Sequence, residues 1–139
     1  KAFNPRKIGK VSSASANKWL DFHTYKNPGD CLDVLKAEDY TSFATILDDR
    51  ATSVYETSFL DAKVALLFGN EHAGISDELA SLADHKVYIP MRGFVQSFNL
   101  SVTASMLLFE VTRQRIASNL ISTLSPNQQT KLTEDLLKR

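Results

Sequence analysis

Cysteine is almost absent from this sequence of 139 residues, which contains only Cys31. A lone cysteine excludes a disulfide framework and any zinc or iron–sulfur site built from several cysteines, and it is compatible with a reducing compartment. Long hydrophobic runs are also missing. The longest, 64–68 and 106–109, fall far short of the roughly 20 apolar residues that a transmembrane helix needs. The sequence therefore predicts no membrane span.

Net charge is absent as well, because sixteen basic and sixteen acidic side chains cancel. No overall field draws this chain toward nucleic acid, so any contact with a polyanion must be local. Residues 1–20 carry basic side chains and no acidic one, which makes them either an RNA contact or an ordinary solvated tail. With 43% hydrophobic residues, the composition predicts a single globular domain over 1–139.

Hydrophobic patterning predicts strands that alternate with helices. The expected strands are 19–25, 41–46, 64–68 and 86–89, and the expected helices between them are 31–37, capped by Asp30, and 76–82, capped by Ser76. The run at 64–68 is continuously apolar, which is typical of a strand covered on both faces of a parallel sheet. This alternation predicts an α/β fold.

Two further helices are predicted toward the end of the chain. The longer spans about 101–119, and its first half is apolar nearly all round, which indicates a second covering surface. We therefore expect a homodimer. The last helix begins at Ser125 with a capping-box pattern, in which Pro126 takes the first helical position and Gln128 the third, and it extends to about residue 138.

Two glycine-bearing loops follow the strands at 64–68 and 86–89, where ligands bind in open α/β sheets. In the first loop Gly69 and Gly74 have the spacing of a phosphate loop, but Ile75 stands where such a loop requires lysine. A G-x-G-x-x-G dinucleotide motif is also missing. The second loop runs into the long helix with Ser97 and Asn99 at alternate positions, where helix capping and ligand contact are both open alternatives.

Together, these loops resemble the signature motifs of the SpoU (TrmH) family of SPOUT-superfamily RNA 2′-O-ribose methyltransferases. The similar segments are Leu-Phe-Gly-Asn-Glu-His-Ala-Gly-Ile-Ser at 67–76 and the stretch from Ile-Pro-Met at 89–91 through Gln-Ser-Phe-Asn-Leu-Ser-Val at 96–102. The resemblance extends through 109–115 and upstream through 15–20 and 43–45, so it covers most of the chain. The branch it resembles most methylates guanosine-18 in the D-loop of tRNA.

This resemblance implies a SPOUT-type parallel sheet with helices on both faces and a deep trefoil knot at the carboxyl end, against the usual rule that chains are not knotted. It implies S-adenosylmethionine as cofactor and no metal. The residues implied to surround the adenosine part are Thr45, Gly69, Ile89 and Phe98. The residues implied to shape the reacting centre are Glu71, Ser97 and Asn99. The residues implied to face RNA are Arg113 and Arg115, although positive charge late in a helix also offsets the helix dipole.

One family motif is not found in this sequence: an Asn followed several residues later by the Arg assigned to activation of the ribose hydroxyl. Asn4 and Arg6 have the wrong spacing for it. Because the chain also begins with Lys1 rather than Met, we expect a catalytic domain truncated at its amino end. The alternatives to tRNA methylation are an rRNA methyltransferase of the same family and a catalytically impaired knotted dimer that binds RNA or a protein. The expected compartment is the cytoplasm, or a chloroplast or mitochondrion if a targeting peptide was removed.

Overall fold

The computed structural model describes residues 20–70, 72–93, 98–120 and 124–137. The chain divides into two compact units, one formed by residues 26–121 and the other by residues 1–25 together with 122–139. The first unit contains the sheet and three helices. In the second unit, the described parts are residues 20–25 and the last helix.

The first unit is built around a four-stranded parallel sheet. Its elements in chain order are α1 (Pro28–Ala37), β1 (Thr41–Thr45), β2 (Thr52–Ser53), β3 (Val64–Leu67), α2 (Asp77–Leu82), β4 (His85–Tyr88) and α3 (Leu100–Ala117). The strand order is β2-β4-β1-β3, with every neighbouring pair parallel. The predicted α/β fold with a parallel sheet is therefore confirmed.

Three strand predictions differ from the structure. The strand expected over 19–25 is wrong for its described part, since residues 20–25 have no strand geometry. Leu20 is 57% exposed there, and β-forming residues favour strands only on a half-buried pleated surface. The two-residue β2 lies where no strand is predicted, and its strand geometry comes from pairing with β4. Among the described strands, β3 lies at an edge of the sheet, and the described residues leave it half-buried along its length rather than covered on both faces.

The helix starts follow local capping chemistry. α1 begins at Pro28 because Asn27 is its cap, with the Asn27 Oδ1 accepting from the Asp30 N–H at 2.8 Å. The prediction of Asp30 as cap is therefore wrong, since the Asn27-Pro28 pair starts the helix three residues earlier. α2 is capped by Ser76 as predicted, and its hydroxyl accepts from the Leu79 N–H at 3.2 Å.

The core joins one face of the sheet to α3. Its fully buried aromatic pair, Phe43 of β1 and Phe59 of the β2–β3 connection, has ring centroids 4.8 Å apart. From α3, Leu107 is 0% exposed and packs in the same cluster. The remaining members of the cluster are Val54, Val87, Ile89 and Val111. This packing holds α3 against the sheet.

The second unit contains α4, which spans Pro126–Leu137. The predicted capping box is present: the Ser125 N–H donates to Gln128 Oε1 at 2.9 Å, and the Gln128 N–H donates to Ser125 Oγ at 3.4 Å. None of the described helices is long and apolar enough to cross a membrane.

Candidate functional site

A cavity of about 810 Å³ opens at the carboxyl edge of the sheet. The segments following β1, β3 and β4 reach this edge together because the three strands are parallel. The start of α3 supplies the remaining wall. The volume of the cavity lies within the range of small-molecule binding sites, roughly 300–1,000 Å³. The two glycine-bearing loops therefore come together, as the sequence predicts.

The structure brings together most of the predicted site residues that it describes. Those that line the cavity are Thr45, Gly69, Ile89, Phe98 and Asn99. Glu71 and Ser97 lie outside the described residues, so their predicted roles stay predictions. Arg113 and Arg115 lie near the far end of α3 and are not part of the cavity lining.

The first loop is closed by its own backbone. Asn70 and Gly74 form an antiparallel bridge in which each N–H donates to the carbonyl of the other at 3.0 Å. The Asn70 side chain fills the turn, where its Oδ1 accepts from the N–H groups of His72 at 3.0 Å and Ala73 at 2.7 Å. The loop is thus held in one shape by four hydrogen bonds that involve a single asparagine.

Glycine is required at the entrance to this loop by close approach of the backbone. A Cβ on Gly69 would overlap the main-chain atoms of Gly74 and Ile75. Gly74 has a φ of +67°, in the left-handed region that glycine adopts without a steric penalty, but a Cβ there would meet open space. Gly69 is therefore required because a side chain has no space there, and Gly74 is required because of its backbone conformation.

Thr45 ties two strands together beside the cavity. Its Oγ1 donates to the Leu67 carbonyl of β3 at 3.0 Å. Because the hydroxyl proton of Thr45 is donated to the Leu67 carbonyl, the Thr45 hydroxyl can contact a ligand only as a hydrogen-bond acceptor. Its position at the end of β1 is set by this cross-strand bond.

Asn99 caps α3 at the cavity wall. Its Oδ1 accepts from the Ser101 N–H at 2.9 Å and from the Ser101 hydroxyl at 2.6 Å. The capping alternative is therefore what the structure shows for this oxygen. Next to it, Phe98 is 43% exposed and lines the cavity, while Ile89 and Leu107 are buried and supply apolar wall.

Both predicted RNA-facing arginines take part in contacts within the described chain. The Arg113 guanidinium donates to both carboxylate oxygens of Glu110, at 2.8 and 2.6 Å, and this pairing lowers the pKa of Glu110. Arg115 Nη2 donates to the Asp61 carbonyl at 2.6 Å. A structural role for both side chains is therefore visible, and their role toward RNA stays a prediction.

Gln114 fastens the β2–β3 connection to α3. Its Oε1 accepts from the Phe59 N–H at 2.9 Å, and its Nε2 donates to the Thr57 carbonyl and to Glu110, each at 2.9 Å. Gln114→Met keeps the side-chain length and removes these bonds. We expect it to lower the free energy of unfolding by about 1–3 kcal/mol, because part-buried backbone groups lose their partners. Urea unfolding measures this.

Gln129→Met is the matched control for Gln114→Met. The Gln129 amide donates to the Leu124 carbonyl in an exposed setting, where water replaces a lost partner. A loss of stability in Gln129→Met as large as that in Gln114→Met would contradict the fastening role.

Asp48, which follows β1 in the chain, forms ion pairs with Arg50 and Lys86. A side-chain hydrogen bond from Arg50 is the largest cause that lowers the pKa of Asp48 from 3.8 to about 2, and Lys86 lies 3.7 Å from the same carboxylate. A lowered carboxylate pKa contributes stability above the unfolded pKa, and this stability is lost as pH falls through the folded value. We therefore expect the free energy of unfolding to decline from about pH 4 toward pH 2.

This decline should be shallower in Asp48→Asn when unfolding is followed by denaturant titration at successive pH values. It should be shallower by a smaller amount in Arg50→Gln, because the backbone N–H of residue 50 and Lys86 still favour the Asp48 carboxylate. Salt at about 1 M should also flatten the wild-type profile, because exposed pairs are screened. An Arg50→Gln variant with the full wild-type decline would show that the pair is not its source.

Some cavity residues were not predicted from the sequence. They include Ile46, Leu47, Asn70, Tyr88, Thr103 and Leu107. Two of them could have been predicted from their spacing. Thr103 and Leu107 follow Asn99 at successive intervals of four residues, and residues at this spacing lie on one side of a helix. Among the described residues, no cluster of three or more His, Cys, Asp or Glu side chains is arranged to hold a metal ion.

Comparison with known proteins identifies the family. A model of the SpoU rRNA Methylase family matches residues 2–109. The tRNA (guanosine(18)-2'-O)-methyltransferase of Thermus thermophilus is 35% identical over 130 residues, which cover 92% of this chain and 66% of that protein. The chain belongs to the SpoU methylase family.

Solved structures agree with this membership. The A. aeolicus TrmH/SpoU tRNA modifying enzyme has a TM-score of 0.79 at 30% identity, with 95% of this chain and 70% of that chain covered. The AdoMet-bound rRNA methyltransferase of Sinorhizobium meliloti has a TM-score of 0.69 at 26% identity, with 81% of this chain and 43% of that chain covered. This chain thus spans about two thirds of the Thermus enzyme and less than half of the Sinorhizobium one.

Proposed function

We propose that this chain binds S-adenosylmethionine and provides the cofactor site of an RNA ribose 2′-O-methyltransferase that acts on guanosine-18 in the tRNA D-loop. The observation that carries the proposal is the cavity lined jointly by Thr45, Gly69, Ile89 and Phe98. These four residues come from three parts of the chain, the end of β1 and the segments that follow β3 and β4. The names of the Thermus and A. aeolicus relatives support the tRNA assignment.

The cavity suits a nucleoside cofactor. Apolar wall from Ile89, Met91 and Phe98 offers a slot for a purine ring, and the glycine loop brings backbone polar groups to the same space. When bound, S-adenosylmethionine supplies an electrophilic methyl group. The chain's contribution is to hold and orient the two reactants, since alignment removes much of the entropic barrier to a two-molecule displacement.

We propose that Glu71, Ser97 and Asn99 shape the reacting centre. Glu71 is bracketed in the sequence by Asn70 and His72, which both line the cavity, and Ser97 directly precedes Phe98. Asn99 is held rigidly as the cap of α3. Polar groups on a rigid helix start suit the alignment of a ribose hydroxyl, which must lose its proton as the methyl group arrives.

A homodimer is part of the proposal. Val102, Met106 and Phe109 recur at intervals of four and three on α3 and are 44%, 38% and 70% exposed. They lie opposite the buried Leu107 and Val111. An apolar stripe on the side of a helix away from its own core indicates a second covering surface, and a second copy of this chain fits it.

We also propose that the family's trefoil knot and its two helix layers are present here, in a cytoplasmic or organellar protein. Membership of the SpoU methylase family, whose resemblance implies the knot, supports this part of the proposal. Burial of Leu32 in α1 and Ala80 in α2, apart from the cluster shared with α3, supports helices on both faces.

Two measurements test the function. Isothermal titration calorimetry with S-adenosylmethionine should show binding, and no binding at millimolar cofactor by the folded chain would overturn the cofactor assignment. The chain is then given labelled cofactor with a tRNA transcript, and with the same transcript carrying 2′-deoxyguanosine at position 18. Label in the first RNA and none in the second is the expected result.

A ribosomal substrate is the second candidate, favoured by the description of the matching family and by the Sinorhizobium relative. Label in ribosomal RNA with unlabelled tRNA would select it. Arg113→Gln and Arg115→Gln should weaken RNA binding if these side chains face RNA. A chain that binds the cofactor and RNA but labels neither RNA would instead support the third alternative, a catalytically impaired dimer that binds RNA.

A further inference from the structure

The side chain of Asn70 makes hydrogen bonds within the loop that forms one wall of the cavity. Its Oδ1 accepts two backbone N–H groups, those of His72 at 3.0 Å and Ala73 at 2.7 Å. The same residue pairs with Gly74 through both its main-chain groups. All four of these residues line the cavity.

Removing the side-chain bonds would release the tip of the loop. The main-chain bridge joins only Asn70 and Gly74, whereas His72 and Ala73 are held by the Asn70 carboxamide. In the sequence, Glu71 stands between Asn70 and His72.

We infer that Asn70 is a positioning residue: its carboxamide sets the shape of the loop that carries Glu71 and thereby keeps the cavity ready for the cofactor. This inference rests on the proposed function. Asn70 acts through the loop backbone rather than on the reacting atoms. The loss on truncation should therefore appear as weaker cofactor binding in a chain that remains folded.

The experiment compares three variants of the 139-residue chain with the wild type. Asn70→Ala removes the acceptor. Asn70→Asp keeps an oxygen in the same place, and a carboxylate accepts backbone N–H groups at least as well. Asn27→Ala is the matched control, because the Asn27 Oδ1 also accepts a backbone N–H, at 2.8 Å, but its helix start does not line the cavity.

Calorimetry with S-adenosylmethionine should show a dissociation constant raised at least about tenfold in Asn70→Ala, which corresponds to two lost hydrogen bonds. Asn70→Asp should restore it to within about threefold of wild type, a margin well below the tenfold step. Asn27→Ala should lower the melting temperature and leave the dissociation constant unchanged. Hydrogen exchange without cofactor should show the His72 and Ala73 amides protected in wild type and Asn70→Asp, and fast in Asn70→Ala.

The outcomes separate the two claims. Wild-type binding with an equally tight Asn70→Ala variant would overturn the positioning role and leave the proposed function standing. No binding by the folded wild-type chain would overturn the proposed function and the positioning role with it. Equal loss of affinity in Asn70→Ala and Asn70→Asp would overturn the claim that the acceptor oxygen is what matters.

Discussion

Replacing Gly69 with alanine is expected to lower the affinity for S-adenosylmethionine at least tenfold and to destabilise the chain by about 1–3 kcal/mol or more. The added Cβ would overlap main-chain atoms of Gly74 and Ile75, which cannot move aside as a flexible side chain would. The loop must therefore shift away from β3, and the cavity wall shifts with it. Calorimetry with the cofactor and thermal unfolding measure the two effects.

Gly74→Ala is the control for Gly69→Ala within the same loop. Its Cβ meets no atom of the described residues within 4 Å, so the cost is that of holding alanine at a φ of +67°. That cost is about 1–2 kcal/mol, without a collision. Gly69→Ala should therefore impair cofactor binding more than Gly74→Ala. The reverse order would show that backbone conformation, rather than space beside Gly69, controls the loop.

Leu107→Ala is expected to lower the free energy of unfolding by about 2–5 kcal/mol, because deletion of a fully buried side chain leaves a cavity in the core. Leu107 is 0% exposed, packs in the cluster with Phe43 and Phe59, and also forms part of the cavity wall. The substitution should therefore weaken both the fold and the cofactor site. Denaturant unfolding gives the first effect, and calorimetry below the unfolding transition gives the second.

Leu137→Ala is the matched control for Leu107→Ala, since it makes the same change in a helix at a side chain that is 83% exposed. It should change the free energy of unfolding by no more than about 0.5 kcal/mol. Similar losses for the two leucines would show that Leu107 does not anchor the core in solution.

The contrast between capping and strand pairing shows where sequence reasoning succeeds. Ser76 and the pair Ser125 and Gln128 are correctly predicted as helix starts, because a cap is a hydrogen bond between residues three positions apart. Asn27 was not predicted as a cap, although its bond to the Asp30 N–H also joins residues only three positions apart. β2 has no such local signal, and its geometry depends on Val87 and Tyr88 of a distant strand.

The site shows the same division. Thr45, Gly69, Ile89 and Phe98 were named through the family resemblance, and the general rule on strand ends independently pointed to the two loops. Asn70 and Leu107 were not named, because their importance comes from a turn hydrogen-bond pattern and from core packing. The contact of Arg115 with the Asp61 carbonyl joins residues 54 positions apart and was also not predicted. The pair of Arg113 and Glu110 is different, because the two residues lie three positions apart on one helix.

The sequence by itself determined the alternation of strands and helices, the starts of α2 and α4, the absence of a membrane span among its runs, and the two loops that bear the family motifs. These features depend on composition and on neighbours a few residues apart. Only the tertiary structure decided which strand lies at the edge, which glycine needs space, and which side chains share the cavity. Those depend on groups tens of residues apart, such as Thr45 with Leu67 and Phe59 with Gln114, whose proximity exists only after the chain has packed.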